Sequence, residues 1–196
     1  VYKGLCHTNP GTHACNDKLL GVYDFTGSGN GHDTLDHGSH AAGTAAGNRI
    51  RINYGDIDVV ISGMAPNAQI ISYKVCDSSG CDTNASAAAV NQAVADGVDV
   101  LNLSIGNSVG PSHSPWLDST DAALLEAFRV GIITAASAGN LGPASSTIYR
   151  LPPWALVTGN TQHGRIFGYP VTINPGTGDL VSSALPSTTE LSPALA

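Results

Sequence analysis

The chain is poor in charge, and poorest in positive charge. Among its 196 residues, 8 are lysine or arginine and 15 are aspartate or glutamate, which gives a net charge of −7. A nucleic-acid partner is disfavoured because no basic stripe is present to neutralise phosphates. The sequence also lacks any apolar run near the ~20 residues of a membrane span. We therefore expect neither a nucleic-acid partner nor a membrane span.

Apolar residues still make up 42% of the chain. That content is enough for the core of one domain, or of one domain plus part of a second. The surface must be built largely from Ser, Thr, Asn and Gly, as is typical of extracellular proteins. The sequence begins at Val1, has Met64 as its one methionine and stops at Ala196 without a cap or charged tail. We expect an internal piece of a longer, secreted precursor.

Four cysteines stand in two close pairs, Cys6 with Cys15 and Cys76 with Cys81. Four cysteines allow three connectivities, and the sequence does not choose among them. The short, turn-rich intervals favour the two local pairs. Four free buried thiols are an alternative, and zinc is less favoured because no CxxC motif occurs. We interpret the pairs as disulfides, which indicates an oxidising compartment.

Strand-like and helix-like segments alternate along the chain. Apolar, β-branched runs predict strands over residues 19–25, 69–75, 98–105, 132–138 and 154–158. Capped or periodic segments predict helices over residues 37–48, 83–97 and 118–130. This alternation is typical of βαβ units with a parallel sheet and right-handed crossovers, which is an α/β fold. Beyond Tyr169, two short apolar runs around a Pro-Gly turn predict a β-hairpin.

Residues 36–44, Asp-His-Gly-Ser-His-Ala-Ala-Gly-Thr, are the most informative stretch. Each glycine in a helix costs roughly 1 kcal/mol relative to alanine, so we expect close backbone packing that holds His37 rigidly. In open α/β sheets, ligands bind beyond the carboxyl ends of the strands. His37 is therefore expected at one rim with residues 104–106 and 137–140. An imidazole there suits a general base, and the Asn140 amide suits an oxyanion donor.

Each of these residues also has a simpler interpretation. A single histidine at a helix start is commonly a cap or a packed core residue. His37 and His40 could instead bind a metal with Asp33 or Asp36, although no third ligand has the required spacing. Asn140 alone is an ordinary turn residue. The remaining histidines lie in polar loops and are expected to be solvated: His7, His13, His32, His113 and His163.

Several blocks in the same order resemble the subtilisin-like serine proteases (subtilases, peptidase family S8), especially the plant-type and related bacterial group. They are Cys-Asn-x-Lys-Leu-Leu-Gly, His-Gly-Ser-His, Gly-Met-Ala-Pro, Asp-Val-Leu-Asn-Leu-Ser-Ile-Gly and Ala-Ser-Ala-Gly-Asn-Leu-Gly-Pro. The resemblance implies a three-layer, doubly wound, mostly parallel α/β sheet that is incomplete at both ends. Residues 1–168 would form part of the catalytic domain, and residues 169–196 the start of a protease-associated, β-rich insertion.

The resemblance also implies residue roles. His37 would be the general base and Asn140 the oxyanion donor. One wall of the substrate cleft would pair with an extended peptide through its backbone. A neighbouring pocket would receive the side chain before the scissile bond, and its small lining residues suggest room for a sizeable apolar group. The wall and the pocket would be formed by Ser104, Ile105 and Gly106, and by Ser137, Ala138 and Gly139, respectively.

Two parts of the family's Asp-His-Ser triad are missing. No Asp-[Ser/Thr]-Gly precedes His37, and no Gly-Thr-Ser-x-Ala follows Asn140; Asp24 is too close to His37 and lacks the pattern. We expect both residues to lie outside this chain, which should then be catalytically silent. Its open sheet edges predict poor folding in isolation.

Two hypotheses of different class follow. The longer protein is a secreted serine endopeptidase acting on polypeptides, with a propeptide as a further partner, or it is an inactive subtilase-like scaffold that binds peptides. Retention of both His37 and Asn140 favours the enzyme. No cofactor is expected. Calcium is compatible with the resemblance, but no Asp/Asn cluster with ligand spacing identifies a site.

Overall fold

The structure is a computed structural model that describes residues 1–54, 57–106, 114–161, 169–173 and 180–184. The described helices are α1 (Leu5–Thr8), α2 (His37–Ala46), α3 (Thr83–Asp96) and α4 (Ser119–Arg129). The described strands are β1 (Lys3–Gly4), β2 (Leu19–Asp24), β3 (Ile50–Tyr54), β4 (Ile57–Ile61), β5 (Ile70–Lys74), β6 (Cys76–Asp77), β7 (Gly80–Cys81), β8 (Val100–Leu103), β9 (Ile133–Ser137), β10 (Leu156–Thr158), β11 (Tyr169–Ile173) and β12 (Leu180–Ala184).

Two parallel sheets carry the frame of the molecule. The first has the strand order β1-β2-β5 and the second β10-β9-β8, and every pair in both is parallel. Helix α3 connects β5 to β8, and α4 connects β8 to β9. Parallel strands joined through helices confirm the predicted α/β class. In the described residues the parallel strands form two sheets rather than one, and β5 and β8 each end a sheet.

Helices α3 and α4 begin at clear caps. The Asp82 carboxylate accepts a hydrogen bond from the Ala85 N–H at 2.7 Å, and the Asp118 carboxylate accepts one from the Asp121 N–H at 2.9 Å. Such N-terminal caps satisfy backbone donors that the helix itself leaves unpaired. Helix α3 ends at Gly97, whose φ of 72° suits glycine. The core between these helices and the second sheet comprises Val90, Leu103, Ala123, Leu124, Ala127, Ile132 and Trp154.

The last residue of α3 reaches the first sheet. The buried Asp96 carboxylate accepts hydrogen bonds from Lys3 Nζ at 3.2 Å, the Tyr23 hydroxyl at 3.0 Å and the Tyr73 hydroxyl at 2.9 Å. The rings of Tyr23 and Tyr73 stack with centroids 5.3 Å apart. Burial, followed by the hydrogen bond to Asp96, raises the pKa of both phenols. Helix α3 therefore contacts both sheets, although β5 and β8 do not pair with each other.

The chain divides into two compact units, residues 1–51 with 60–160, and residues 52–59 with 161–196. In the second unit, β11 and β12 pair antiparallel, with Ile173 opposite Leu180. This pairing confirms the two strands of the predicted hairpin; the turn between them lies outside the described residues. The assignment of residues 169–196 to a protease-associated insertion stays a prediction.

All four cysteines follow the local pairing. The sulfur atoms of Cys6 and Cys15, and those of Cys76 and Cys81, lie within bonding distance of each other. Cys76 and Cys81 also stand directly opposite in the antiparallel β6–β7 ladder. Both pairs lie in the segments where the sequence places turns. Separately, the described helices include none that is both long and apolar enough to cross a bilayer.

Truncating the core should test which side chains hold α4 in place. Leu124 is fully buried, whereas Leu117 is 83% exposed just before the same helix. We expect Leu124→Ala to lower the free energy of unfolding by about 2–5 kcal/mol, since it leaves a cavity. Leu117→Ala should change it by less than about 0.5 kcal/mol. Urea unfolding followed by circular dichroism measures both, and equal effects would contradict this assignment of the core.

Candidate active site

His37 is the first residue of α2, and its side chain is exposed. The helix is capped from a distance. Asp36, which precedes it, has a φ of 62° and makes no capping hydrogen bond through its side chain. Instead, Asp33 Oδ2 accepts from the Ser39 N–H at 2.8 Å and from the Ser39 hydroxyl at 2.7 Å, while Asp33 Oδ1 accepts from the N–H groups of Leu35 and Asp36. One carboxylate thus fixes the turn that presents His37.

These contacts favour the charged form of Asp33. Partial burial of the carboxyl works to raise its pKa, but the hydrogen bonds from Leu35, Ser39 and Asp36 outweigh it and lower the pKa of Asp33 to about 2. The negative charge also lies at the N-terminal end of α2, where the helix dipole stabilises an anion. Asp33, whose suggested role from the sequence was that of a metal ligand, is a helix cap in the structure.

Asp24 organises the loop that leads from β2 towards this turn. Its carboxylate accepts hydrogen bonds from the Thr26 N–H and hydroxyl, the Ser28 hydroxyl and the Gly29 N–H, at 2.6 to 3.1 Å. Burial opposes these bonds, which nevertheless lower the pKa of Asp24 to about 2. All four partners belong to its own loop. Asp24 therefore orders its own loop, and its exclusion as the triad aspartate stays a prediction.

The C-terminal end of α2 is held by a separate segment. The N–H groups of Gly63, Met64 and Ala65 donate to backbone carbonyls of residues 44–47 at 2.8 to 3.0 Å. The Lys18 ammonium donates to the carbonyls of residue 46 at 2.9 Å and of residue 66 at 2.7 Å. A positive charge there also complements the helix dipole. Both ends of the helix that carries His37 are therefore anchored by hydrogen bonds.

The packing expected around the glycines of α2 is not found within the helix. A methyl group on Gly43 would meet no atom within 4 Å, and one on Gly38 would lie in ordinary contact, 3.5 Å from Asp33 Oδ2. That expectation is therefore wrong, because Gly43 faces open space and Gly38 has room for a side chain. The close approach occurs beyond the helix instead. A methyl group on Gly63 would lie 2.7 Å from the backbone nitrogen of Ala46, so the anchoring segment needs glycine there.

The candidate cleft residues lie at one edge of the second sheet. Because β8 and β9 are parallel, with Leu103 opposite Ala136, the residues that follow them emerge on the same side. Residues 104–106 follow β8, while Ser137 ends β9 and residues 138–140 continue from it. The Ser137 hydroxyl accepts a hydrogen bond from the Gly139 N–H at 3.0 Å, and Gly139 has a φ of 96°. This local turn leads directly to the exposed Asn140.

His37 and Asn140 are carried by different parts of the frame. The first follows β2 of one sheet, and the second follows β9 of the other. Among the described residues, no hydrogen bond joins the His37 imidazole to the Asn140 amide. The pairing of these two side chains across a substrate stays a prediction. So do the roles assigned to residues 104–106 and 137–139.

One histidine differs from expectation. His13 is buried, with its ring centroid 4.5 Å from that of His32. Burial, and secondly the neighbouring His32, lowers the pKa of His13. The expectation that it is solvated is therefore wrong, because its side chain is withdrawn from solvent and packs beside the His32 ring. His7 and His32 are exposed as expected; residues 113 and 163 lie outside the described ranges.

No cluster of metal-ligating side chains is present among the described residues. In the part of the chain that the structure describes, no group of three or more His, Cys, Asp or Glu side chains is gathered as ligands of one ion would be. His37 and His40 both lie on the exposed surface of α2. The carboxylates of Asp33 and Asp24, which precede His37 in the sequence, already accept hydrogen bonds from backbone N–H groups. The described residues thus show no third ligand of these types beside His37 and His40.

Comparison with known proteins relates this arrangement to one family. The sequence model of peptidase family S8, described as "Subtilase family", matches residues 17–169. Subtilisin-like protease SBT4.12 of Arabidopsis thaliana is 35% identical over 180 residues, covering 89% of this chain and 24% of the relative. SBT1.5 of the same plant is 35% identical over 199 residues, covering 92% and 25%. The chain spans about a quarter of the length of the curated relatives it matches.

Solved structures agree. Sphericase superposes with a TM-score of 0.50 at 26% identity, covering 82% of this chain and 49% of that one. MycP1 with its N-terminal propeptide removed gives a TM-score of 0.51 at 24% identity, covering 64% and 42%. At that identity, the second likeness supports the fold alone.

The Asp33 cap should give α2 an acid-sensitive stability. Its folded pKa of about 2 lies below the ordinary value of 3.8, so the stabilisation is complete above pH 3.8 and is lost as the pH falls towards 2. We expect Asp33→Ala to cost about 1 kcal/mol at pH 6, as for other lost caps, and less at pH 3. Urea unfolding at both pH values measures this difference.

Asp17→Ala is the matched control. This aspartate is exposed, and its carboxylate accepts no hydrogen bond in the described residues. We expect a change below about 0.5 kcal/mol at either pH. An Asp33→Ala penalty that is the same at pH 6 and pH 3 would contradict the assignment of Asp33 as a charged cap.

Proposed function

Because this chain belongs to the subtilase family, we propose that it is part of a serine endopeptidase that hydrolyses peptide bonds in polypeptides. The observation that carries the proposal is the shared edge of β8 and β9. The segments that follow those strands, residues 104–106 and 137–140, emerge there side by side. An anchored helix of the same unit presents His37.

His37 is proposed as the general base. A peptide bond is attacked by a hydroxyl that loses its proton in the same step, and the imidazole accepts that proton and returns it to the leaving amine. The exposure of His37 leaves the ring accessible to a substrate. The fixed ends of α2 support this role, because a base must be held within hydrogen-bond reach of the group it deprotonates.

Asn140 is proposed as the oxyanion donor. When the carbonyl carbon becomes tetrahedral, its oxygen gains negative charge, and a neutral amide N–H in a fixed position stabilises that charge without rearranging. The turn before Asn140 is defined by the bond from the Gly139 N–H to the Ser137 hydroxyl. A bond from the Ala138 N–H to the Thr158 carbonyl, 2.9 Å long, ties the same turn to β10. These contacts support a preorganised donor.

The triad aspartate and serine are proposed to come from the rest of a longer protein. Two observations support this. The chain spans about a quarter of the length of its curated relatives. In addition, β5 and β8 each lie at the end of a sheet in the described part of the chain, so each of these strands has a free edge with which a further strand could pair. Helix α3 contacts both sheets.

The substrate is proposed to bind as an extended strand. β8 ends at Leu103, so the backbone of residues 104–106 runs on past its ladder with β9. Backbone groups in that position can pair with a peptide main chain of almost any sequence. The two cysteine pairs support a secreted protein. A propeptide is a further partner proposed from family membership, and calcium is compatible with the same membership, with no site assigned to it.

Substitution in the longer protein tests the two roles. We expect His37→Ala to lower kcat by about 10⁶-fold and Asn140→Ala by about 10²–10³-fold; both magnitudes are those known for subtilisin itself. His7→Ala, an exposed histidine in α1, is the control and should retain full activity. Hydrolysis of casein and of a peptide p-nitroanilide provides the readout.

Labelling with a fluorophosphonate separates the enzyme from the scaffold hypothesis. The wild-type longer protein should be labelled on one serine, more slowly after His37→Ala. The 196-residue chain alone should not be labelled, since no serine within it qualifies as the nucleophile. A folded longer protein that neither reacts nor hydrolyses would favour the peptide-binding scaffold, and time-dependent labelling of a serine in this chain would show that its nucleophile was missed.

A further inference from the structure

The pocket expected beside the cleft contains a tyrosine ring. A methyl group built on Gly106 would lie 2.5 Å from Cδ2 of Tyr149, and one built on Gly139 would lie 2.6 Å from Cε2 of the same ring. Real carbon atoms do not approach so closely. The Tyr149 ring therefore occupies the space into which side chains at both positions would project, beyond the ends of β8 and β9.

Different constraints favour glycine at positions 106 and 139. Gly139 has a φ of 96°, a conformation that favours glycine whatever surrounds it. Gly106 is not among the residues with positive φ, so its backbone alone does not exclude a side chain. The contact with the Tyr149 ring excludes a side chain at Gly106. The ring thus packs directly against the cleft wall at Gly106 and against the pocket at Gly139.

Tyr149 is anchored through its backbone. Its N–H donates to the Ala138 carbonyl at 3.0 Å, which adds the segment around residue 149 to the end of β9. The next residue, Arg150, is buried and pairs with Asp121 and, at 3.3 Å, with Asp118 at the start of α4. Burial raises the pKa of Asp121, an effect that the adjacent Arg150 guanidinium opposes. The ring is therefore attached to a fixed part of the fold.

We propose that Tyr149 is a specificity-determining residue that fills the pocket for the side chain before the scissile bond and restricts it to small residues such as alanine. This inference rests on the proposed function. It revises the expectation of a roomy pocket, which rested on the small size of Ser137, Ala138 and Gly139. Those residues are small, but the ring takes up the room beside them.

The first test compares two substrates on the longer protein. Succinyl-Ala-Ala-Pro-Ala p-nitroanilide and its Phe counterpart differ only in the side chain that enters the pocket. We expect wild-type kcat/KM to favour alanine at least tenfold, since steric exclusion is worth more than a gained methylene contact. Equal or better cleavage after phenylalanine would overturn the proposal.

Variants locate the cause of the preference. Tyr149→Ala should raise kcat/KM for the Phe substrate at least tenfold relative to the Ala substrate, whereas Tyr149→Phe keeps the ring and therefore the wild-type preference. A residue that matters only for folding would lower activity on both substrates together and leave their ratio unchanged, which would contradict the proposal. Thermal unfolding of each variant checks that it is folded, and the wild-type comparison needs no variant.

A binding measurement separates this proposal from the proposed function. The complete 196-residue chain, labelled with ¹⁵N, is titrated with acetyl-Ala-Ala-Pro-Ala and acetyl-Ala-Ala-Pro-Phe, and the amide signals of Gly106 and Gly139 are followed. We expect the Ala peptide to shift both signals and the Phe peptide to bind at least tenfold more weakly. If this holds while the longer protein hydrolyses nothing, the endopeptidase proposal fails and the pocket assignment stands. If the amide spectrum is dispersed, as for a folded chain, and neither peptide shifts these signals, the pocket assignment is overturned. The substrate comparison on the longer protein decides the proposal whether or not the isolated chain folds.

Discussion

The buried carboxylate of Asp96 is the interaction on which the frame depends. A charge removed from water is costly unless donors surround it, and here one ammonium and two phenol hydroxyls do so. Those donors come from β1, β2 and β5, while the preceding turns of α3 contribute to the core beneath the second sheet. Helix α3 thus joins the sheet whose strand β2 precedes His37 to the sheet whose strands β8 and β9 precede the candidate cleft residues.

Helix α2 forms although its sequence has low helix propensity. Its ten residues include two glycines and bury only Ala46, so neither helix propensity nor core packing accounts for its stability. Its order comes from the ends: the Asp33 carboxylate at one, and Lys18 with the backbone of residues 63–65 at the other. A helix held by its ends can expose its first turn, as α2 exposes His37.

The local sequence pattern predicted most helices and strands, and it predicted the sheet edge at which residues 104–106 and 137–140 lie. Capped or periodic segments and apolar runs predicted α3, α4, β8 and β9. The cap of α3 is Asp82, one residue before the predicted start of that helix. Parallel pairing then placed Ser104 and Ser137 at one edge. Burial of His13, the anchoring by Lys18 and the location of the Tyr149 ring were not predictable. Each depends on contacts between segments far apart in sequence, which periodicity does not record. Strands β3 and β4 were missed although their alternating β-branched residues, Ile50 and Ile52 in β3 and Ile57, Val59 and Ile61 in β4, are a strand signal.

The contact between Tyr149 and Gly106 also constrains the order in which mutations can accumulate. A side chain at Gly106 is sterically blocked while the ring is present, yet becomes admissible once position 149 carries a small residue. Once position 106 has been enlarged, the ring can no longer return without a clash. Changes at these two positions are therefore epistatic, and lineages that enlarge position 106 lose the route back to the aromatic residue.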